Sequence, residues 1–111
     1  MKKLRLTLKT KGKTISDDTY SYTEENKYKV LKYNDILLKF KLLKKDFIFI
    51  RETKEDVFKV ENRQGSITLK EINQTFDIEL SMCDYRNVDN TYYIRYSLEG
   101  DDSIIEMIIN I

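Results

Sequence analysis

The chain has no histidine, proline, tryptophan or alanine, a single cysteine and three glycines. Without histidine there is no Ser-His-Asp or Cys-His arrangement and no His-ligated zinc site. One cysteine, Cys83, excludes an internal disulfide and a Cys-rich metal site. Its polar surroundings place it on the wet side of a strand end, as an inert thiol rather than a lowered-pKa nucleophile. Missing alanine removes the strongest helix former, while Ile, Tyr, Phe, Thr and Val are plentiful. The missing proline says less. Abundant Lys, Ile, Asn and Tyr beside absent Ala and Pro are the mark of AT-rich coding. No apolar run approaches the 18 or so residues of a membrane helix. The opening Met1-Lys2-Lys3-Leu4-Arg5-Leu6 lacks the apolar core of a signal peptide, so the expected compartment is the cytoplasm.

What is present reads as one domain over residues 1–111. Hydrophobic content of 41% argues against a disordered chain, and 35% charged residues give a well-solvated surface. The net charge is +1, but residues 1–45 carry 13 Lys/Arg against 5 Asp/Glu and residues 46–111 carry 7 against 14. A basic half suits a nucleic acid or another anion. The preferred reading is that the halves interleave in one sheet, with opposite charges facing across strands. Nucleic acid is therefore not an expected partner.

The strongest pattern is period two. Phe76, Ile78, Leu80 and Met82 alternate with Asp77, Glu79, Ser81 and Cys83; Ile94, Tyr96 and Leu98 alternate with Arg95, Ser97 and Glu99; Ile105, Met107, Ile109 and Ile111 close the chain. Alternation means strands with one buried face. Strands are expected over 2–9, 19–23, 27–33, 36–43, 47–51, 56–61, 66–72, 76–83, 94–98 and 105–111. Loops are expected at Lys11-Gly12-Lys13, Ser16-Asp17-Asp18, Asn34-Asp35 and Asp84–Asn90, with a hairpin loop at Asn62–Gly65 in which Gly65 supplies a positive φ. Tyr33, Leu37 and Phe40 also have helical spacing. Any helix should thus be short and lie within 11–18 or 27–45, although Asn34-Asp35 sits where a hairpin needs it. The fold class is all-β: an antiparallel meander of about eight to ten short strands, closed or nearly closed into a barrel, with a sandwich as the alternative. Leu6, Phe40, Ile78, Leu80, Ile94 and Ile109 are the expected core.

Several stretches resemble a known family: Leu4-Arg5-Leu6-Thr7-Leu8, Lys39-Phe40-Lys41 through Phe47-Ile48-Phe49-Ile50-Arg51, Phe76-Asp77-Ile78-Glu79-Leu80 and Ile94-Arg95-Tyr96-Ser97-Leu98. In their order they resemble the YwiB-like family of small bacterial β-barrel proteins, whose architecture is calycin-like and related to lipocalins. Glu52-Thr53 after Arg51 and Gln74-Thr75 ahead of the long strand depart from the family's glycine positions. The resemblance implies a barrel. It brings no catalytic residues.

The chemistry-bearing motifs are sparse. Gly12, Gly65 and Gly100 are isolated, so no phosphate loop exists. Glu99, Asp101 and Asp102 read as turn solvation rather than a Ca²⁺ loop, and Asp84 and Asp89 read the same way. Asp77 and Glu79 share a face but read as exposed carboxylates rather than a glycosidase pair. Neither metal nor cofactor is expected, and no enzyme. The basic-half tyrosines Tyr20, Tyr22, Tyr28 and Tyr33 suit core and rim better than base stacking. Arg51 is the residue that stands out. If the Phe47/Phe49 face points inward, Arg51 ends in the interior and needs an anionic partner or ligand; if Ile48 and Ile50 point inward, it is on the surface. Tyr96 shares the parity of Ile94 and Leu98, so its hydroxyl also needs a partner. Arg51 and Tyr96 are the candidate ligand contacts. The expected function is a non-enzymatic binding module for a small apolar or amphipathic ligand. The alternative is a protein-interaction or regulatory module, as a homodimer or with another protein. A weak single-stranded nucleic-acid binder comes third.

Overall fold

Two-residue hairpins organise the chain. A computed structural model describes residues 2–111 as twelve strands and no helix. They are β1 (Lys3–Thr10), β2 (Lys13–Ser21), β3 (Thr23–Glu25), β4 (Tyr28–Tyr33), β5 (Ile36–Leu42), β6 (Phe47–Glu52), β7 (Asp56–Glu61), β8 (Gln64–Leu69), β9 (Gln74–Ile78), β10 (Leu80–Val88), β11 (Thr91–Leu98) and β12 (Ile105–Asn110). Both turn residues have positive φ at Lys11-Gly12 (53° and 74°), Asn26-Lys27 (52° and 71°) and Asn62-Arg63 (54° and 62°). That conformation matches the right-handed twist of the flanking strands. Asn34 supplies a positive φ of 55° in the β4–β5 hairpin, so residues 27–45 form two strands.

Every consecutive pair is antiparallel within two sheets. One sheet has the order β10-β11-β12-β1-β2 and the other runs β3 to β9 in sequence order. The terminal strands meet, Leu6 opposite Ile109 and Leu8 opposite Met107. The chain passes between the sheets at two single-residue breaks, Tyr22 and Glu79. At these corners the Tyr22 amide donates to the Lys2 carbonyl (3.0 Å) and the Glu99 amide to the Glu79 carbonyl (2.9 Å). Strands that bend from one sheet into the next are how two packed sheets make corners. Among the described residues no hydrogen-bonded ladder closes the two sheets into one barrel.

Between the sheets lies a dry core. Leu6, Phe40, Val60, Ile94 and Ile109 are fully buried, joined by Leu4, Phe47, Phe49, Phe58, Tyr96 and Met107. Aromatic rings fill its middle: Phe40 and Phe49 lie 5.3 Å apart, Phe49 and Tyr96 6.4 Å, and Phe58 and Tyr96 5.8 Å. Of the expected core, Ile78 and Leu80 are only half-buried, because they flank the Glu79 corner where the sheets part.

Three local expectations are corrected. Ser16-Asp17-Asp18 is strand, not loop, because Asp17 faces Arg5 and Thr7 across the ladder and accepts from Arg5 Nε (2.8 Å), Arg5 Nη2 (2.7 Å) and Thr7 Oγ1 (3.0 Å). Asp84–Val88 is also strand. Its inward polar groups reach the β5–β6 turn, Tyr85 Oη donating to the Leu43 carbonyl and Asn87 Nδ2 to the Lys44 carbonyl (3.1 Å). Gly65 is a strand residue rather than the positive-φ turn residue. A Cβ there would lie 2.9 Å from the Ile78 carbonyl oxygen and 3.3 Å from Leu80 Cδ2, so the glycine lets β9 approach β8 just before the corner.

Candidate functional site

Inward parity places Arg51. Phe47 and Phe49 are buried, so the third residue of that face points between the sheets. Register then builds a row across the inner face of the seven-stranded sheet: Leu31, Leu38, Arg51, Phe58, Ile67 and Phe76 stand opposite one another on six successive strands. A single cation thus lies in the middle of an apolar row. The row begins buried at Leu31 and Leu38 and ends at Phe76, which is 46% exposed on the last strand of the sheet.

The guanidinium of Arg51 is incompletely paired. Its Nη2 lies 3.6 Å from Asp56 Oδ1, and its Cζ sits 5.6 Å from the centre of the Phe58 ring. Nε is the one buried side-chain nitrogen or oxygen among the described residues without a hydrogen-bond partner. Asp56 is shared with Thr53, whose hydroxyl lies 3.0 Å from the same Oδ1. Tyr96 also packs against Phe58, with ring centres 5.8 Å apart, and is 6% exposed. Burial pushes its phenol up to about 12, and the nearby Arg51 charge offsets part of that rise. The structure therefore brings the two residues singled out in the sequence to one ring. Both face inward.

Sequence reasoning missed the rest of the row. Ile67 and Phe76 belong with Arg51 only through the cross-strand register, which one strand's alternation does not carry. It also misassigned Cys83. A register shift between Leu80 and Met82 turns Met82 outward and sets Cys83 opposite Tyr96 on the inner face. Burial pushes the Cys83 thiol up, which disfavours the reactive thiolate.

The charge pattern also differs from expectation. Residues 1–45 form a contiguous run, β1-β2 and β3-β4-β5, and touch the acidic half through the β1–β12 and β5–β6 ladders. Of nine ion pairs among the described residues, only Lys39–Glu52 (3.5 Å) joins the two halves. The halves do not interleave, since a meander keeps sequence neighbours adjacent in space. Tyr22 is nevertheless buried, and Tyr20 and Tyr33 pack against the core with rings 6.0 Å apart. Among the described residues no group of three or more acidic or cysteine side chains is arranged to hold a metal ion. The Asp101 carboxylate accepts instead from the Ser103 amide at 2.9 Å. Among the described residues no helix is long and apolar enough to cross a membrane. Comparison with family models, with curated proteins and with solved structures finds no match to this chain.

Proposed function

We propose that this protein is a non-enzymatic binding module for a small amphipathic anion, held at the Arg51 end of the space between the sheets. The observation that carries the reading is Arg51 Nε: a buried donor with no partner, flanked by Leu38 and Phe58. An unsatisfied buried donor of this kind costs about 1–3 kcal/mol. A carboxylate on Nε would remove that cost. An aliphatic chain attached to it would lie along Ile67 and Phe76, covering apolar surface now exposed to water. Tyr96 bounds the site through the Phe58 ring. The middle of the molecule is filled by its own rings, so the ligand occupies an end rather than a central cavity.

Such a site fits the calycin-like architecture that the YwiB-like resemblance implies. The meander with paired terminal strands has the connectivity of a barrel, here drawn out at the Tyr22 and Glu79 corners into two sheets. A small bacterial, cytoplasmic protein of that family is the setting, and the ligand class rests on the Arg51 geometry alone. The filled core supports a second reading, a protein-interaction module without a ligand. Native mass spectrometry of freshly purified protein separates the two. A retained small molecule, lost in the Arg51→Met variant, supports the binding module. A defined dimer with no added mass supports the interaction reading.

A further inference from the structure

The outer face of the five-stranded sheet carries a separate feature, unrelated to the Arg51 end. A half-open groove of about 670 Å³ lies over β10, β11 and β12, reaching Lys9 on β1 at one side and Arg63 at the other. That volume is in the range that takes a small molecule of some tens of atoms. Two cross-strand rows make its floor. In one row Asp84, Arg95, Glu106 and Lys9 stand opposite one another, alternating in sign. Arg95 Nε lies 3.6 Å from Glu106 Oε1, so the middle of this row neutralises itself.

The other row is different. Arg86 stands opposite Tyr93, and Tyr93 opposite Ile108. Tyr93 and Ile108 are half-buried neighbours on the groove floor. The Arg86 guanidinium lies over the Tyr93 ring, 4.5 Å from its centre. It makes no ion pair with any described carboxylate, and neither does Lys9. A guanidinium stacked on a ring is held flat with its N–H edge free, the geometry that chelates a phosphate or carboxylate bidentately. Four cations against two carboxylates line the groove, so its field favours an anion.

We propose that this groove binds a planar aromatic anion of nucleotide size, its ring against Ile108 beside the Arg86–Tyr93 stack and its anionic group on Arg86. Neither half alone suffices. A bare anion finds one free guanidinium in a solvated groove, and an uncharged ring finds only the half-buried Ile108 side chain beside the Arg86–Tyr93 stack.

The test uses adenosine 5′-monophosphate, adenosine and inorganic phosphate as probes in amide-resolved NMR titrations of the full chain. Adenosine monophosphate is expected to shift the amides of Arg86, Tyr93 and Ile108. Adenosine and phosphate should each bind about tenfold or more weakly. Arg86→Gln should weaken the nucleotide by about tenfold or more, the loss of a charge-assisted contact. Tyr93→Leu keeps the apolar floor and should weaken it by removing the stacked ring. Should Tyr93→Leu fail to fold, the exposed Arg86→Gln still decides. The proposal is overturned if millimolar nucleotide shifts none of these amides, if Arg86→Gln leaves its affinity unchanged, or if phosphate alone binds as well.

Discussion

Replacing Arg51 by Met should leave the ligand-free protein as stable as before, or more stable by about 1 kcal/mol. Most changes at a half-buried, ion-paired residue destabilise, so the sign is diagnostic. The variant loses the pair with Asp56, which at 3.6 Å with the Arg51 side chain 40% exposed is a surface-type contact; such pairs contribute about 0–1 kcal/mol. It also loses the contact with the Phe58 ring, about 0.5–1 kcal/mol. Against these stands relief of the unpartnered Nε, about 1–3 kcal/mol. Met has similar length and flexibility and keeps apolar contact with Leu38 and Phe58. Asp56 retains Thr53 as a partner and is not stranded. Urea denaturation of ligand-free protein, followed by circular dichroism, measures the difference. A loss above about 2 kcal/mol would show that Arg51 holds the fold together, and the reasoning that reserves it for a ligand would fail.

Two further outcomes follow from the same structure. The Tyr96 phenol, pushed up to about 12 by burial, binds its proton more tightly folded than unfolded. Its contribution is therefore complete below about pH 10 and lost between about pH 10 and 12, amounting to about 3 kcal/mol. Wild type should lose stability over that window relative to Tyr96→Phe, and parallel alkaline curves would contradict the burial of the hydroxyl. Gly65→Ala should destabilise by about 1–3 kcal/mol, since the new methyl meets the Ile78 carbonyl at 2.9 Å; an unchanged urea midpoint would mean that Gly65 is not at a close approach of β8 and β9.

Much of the fold was legible because each strand carries its own two-residue period. Leu4-Leu6 and Ile94-Tyr96 announce their inner faces without reference to any other residue, whereas Phe47–Arg51 is apolar on both faces and left its facing open until Phe47 and Phe49 proved buried. The hairpins were legible where Asn or Gly marks the turn. The misreadings share a cause: they depend on a partner strand. Asp17 looks like a loop residue until Thr7 stands opposite it and Arg5 reaches it from the diagonal position. Tyr85 and Asn87 look like loop polarity until the carbonyls of Leu43 and Lys44 receive them. The irregular pairing near Ser81 reversed the expected facing of Met82 and Cys83. The Phe76–Met82 alternation runs on through the Glu79 break, so a corner between sheets is invisible in it. The candidate site was half legible for the same reason. Parity offered Arg51 and Tyr96, but only register joined Ile67 and Phe76 to them.

Isothermal titration of the wild type and of Arg51→Met with laurate, a carboxylate on an unbranched apolar chain, tests the central claim most directly. The wild type should bind one laurate per chain, and Arg51→Met, folded by circular dichroism, should bind it about tenfold or more weakly, the loss of a charge-assisted contact. Equal affinity in the two proteins, or no heat with either, would contradict a site built on Arg51.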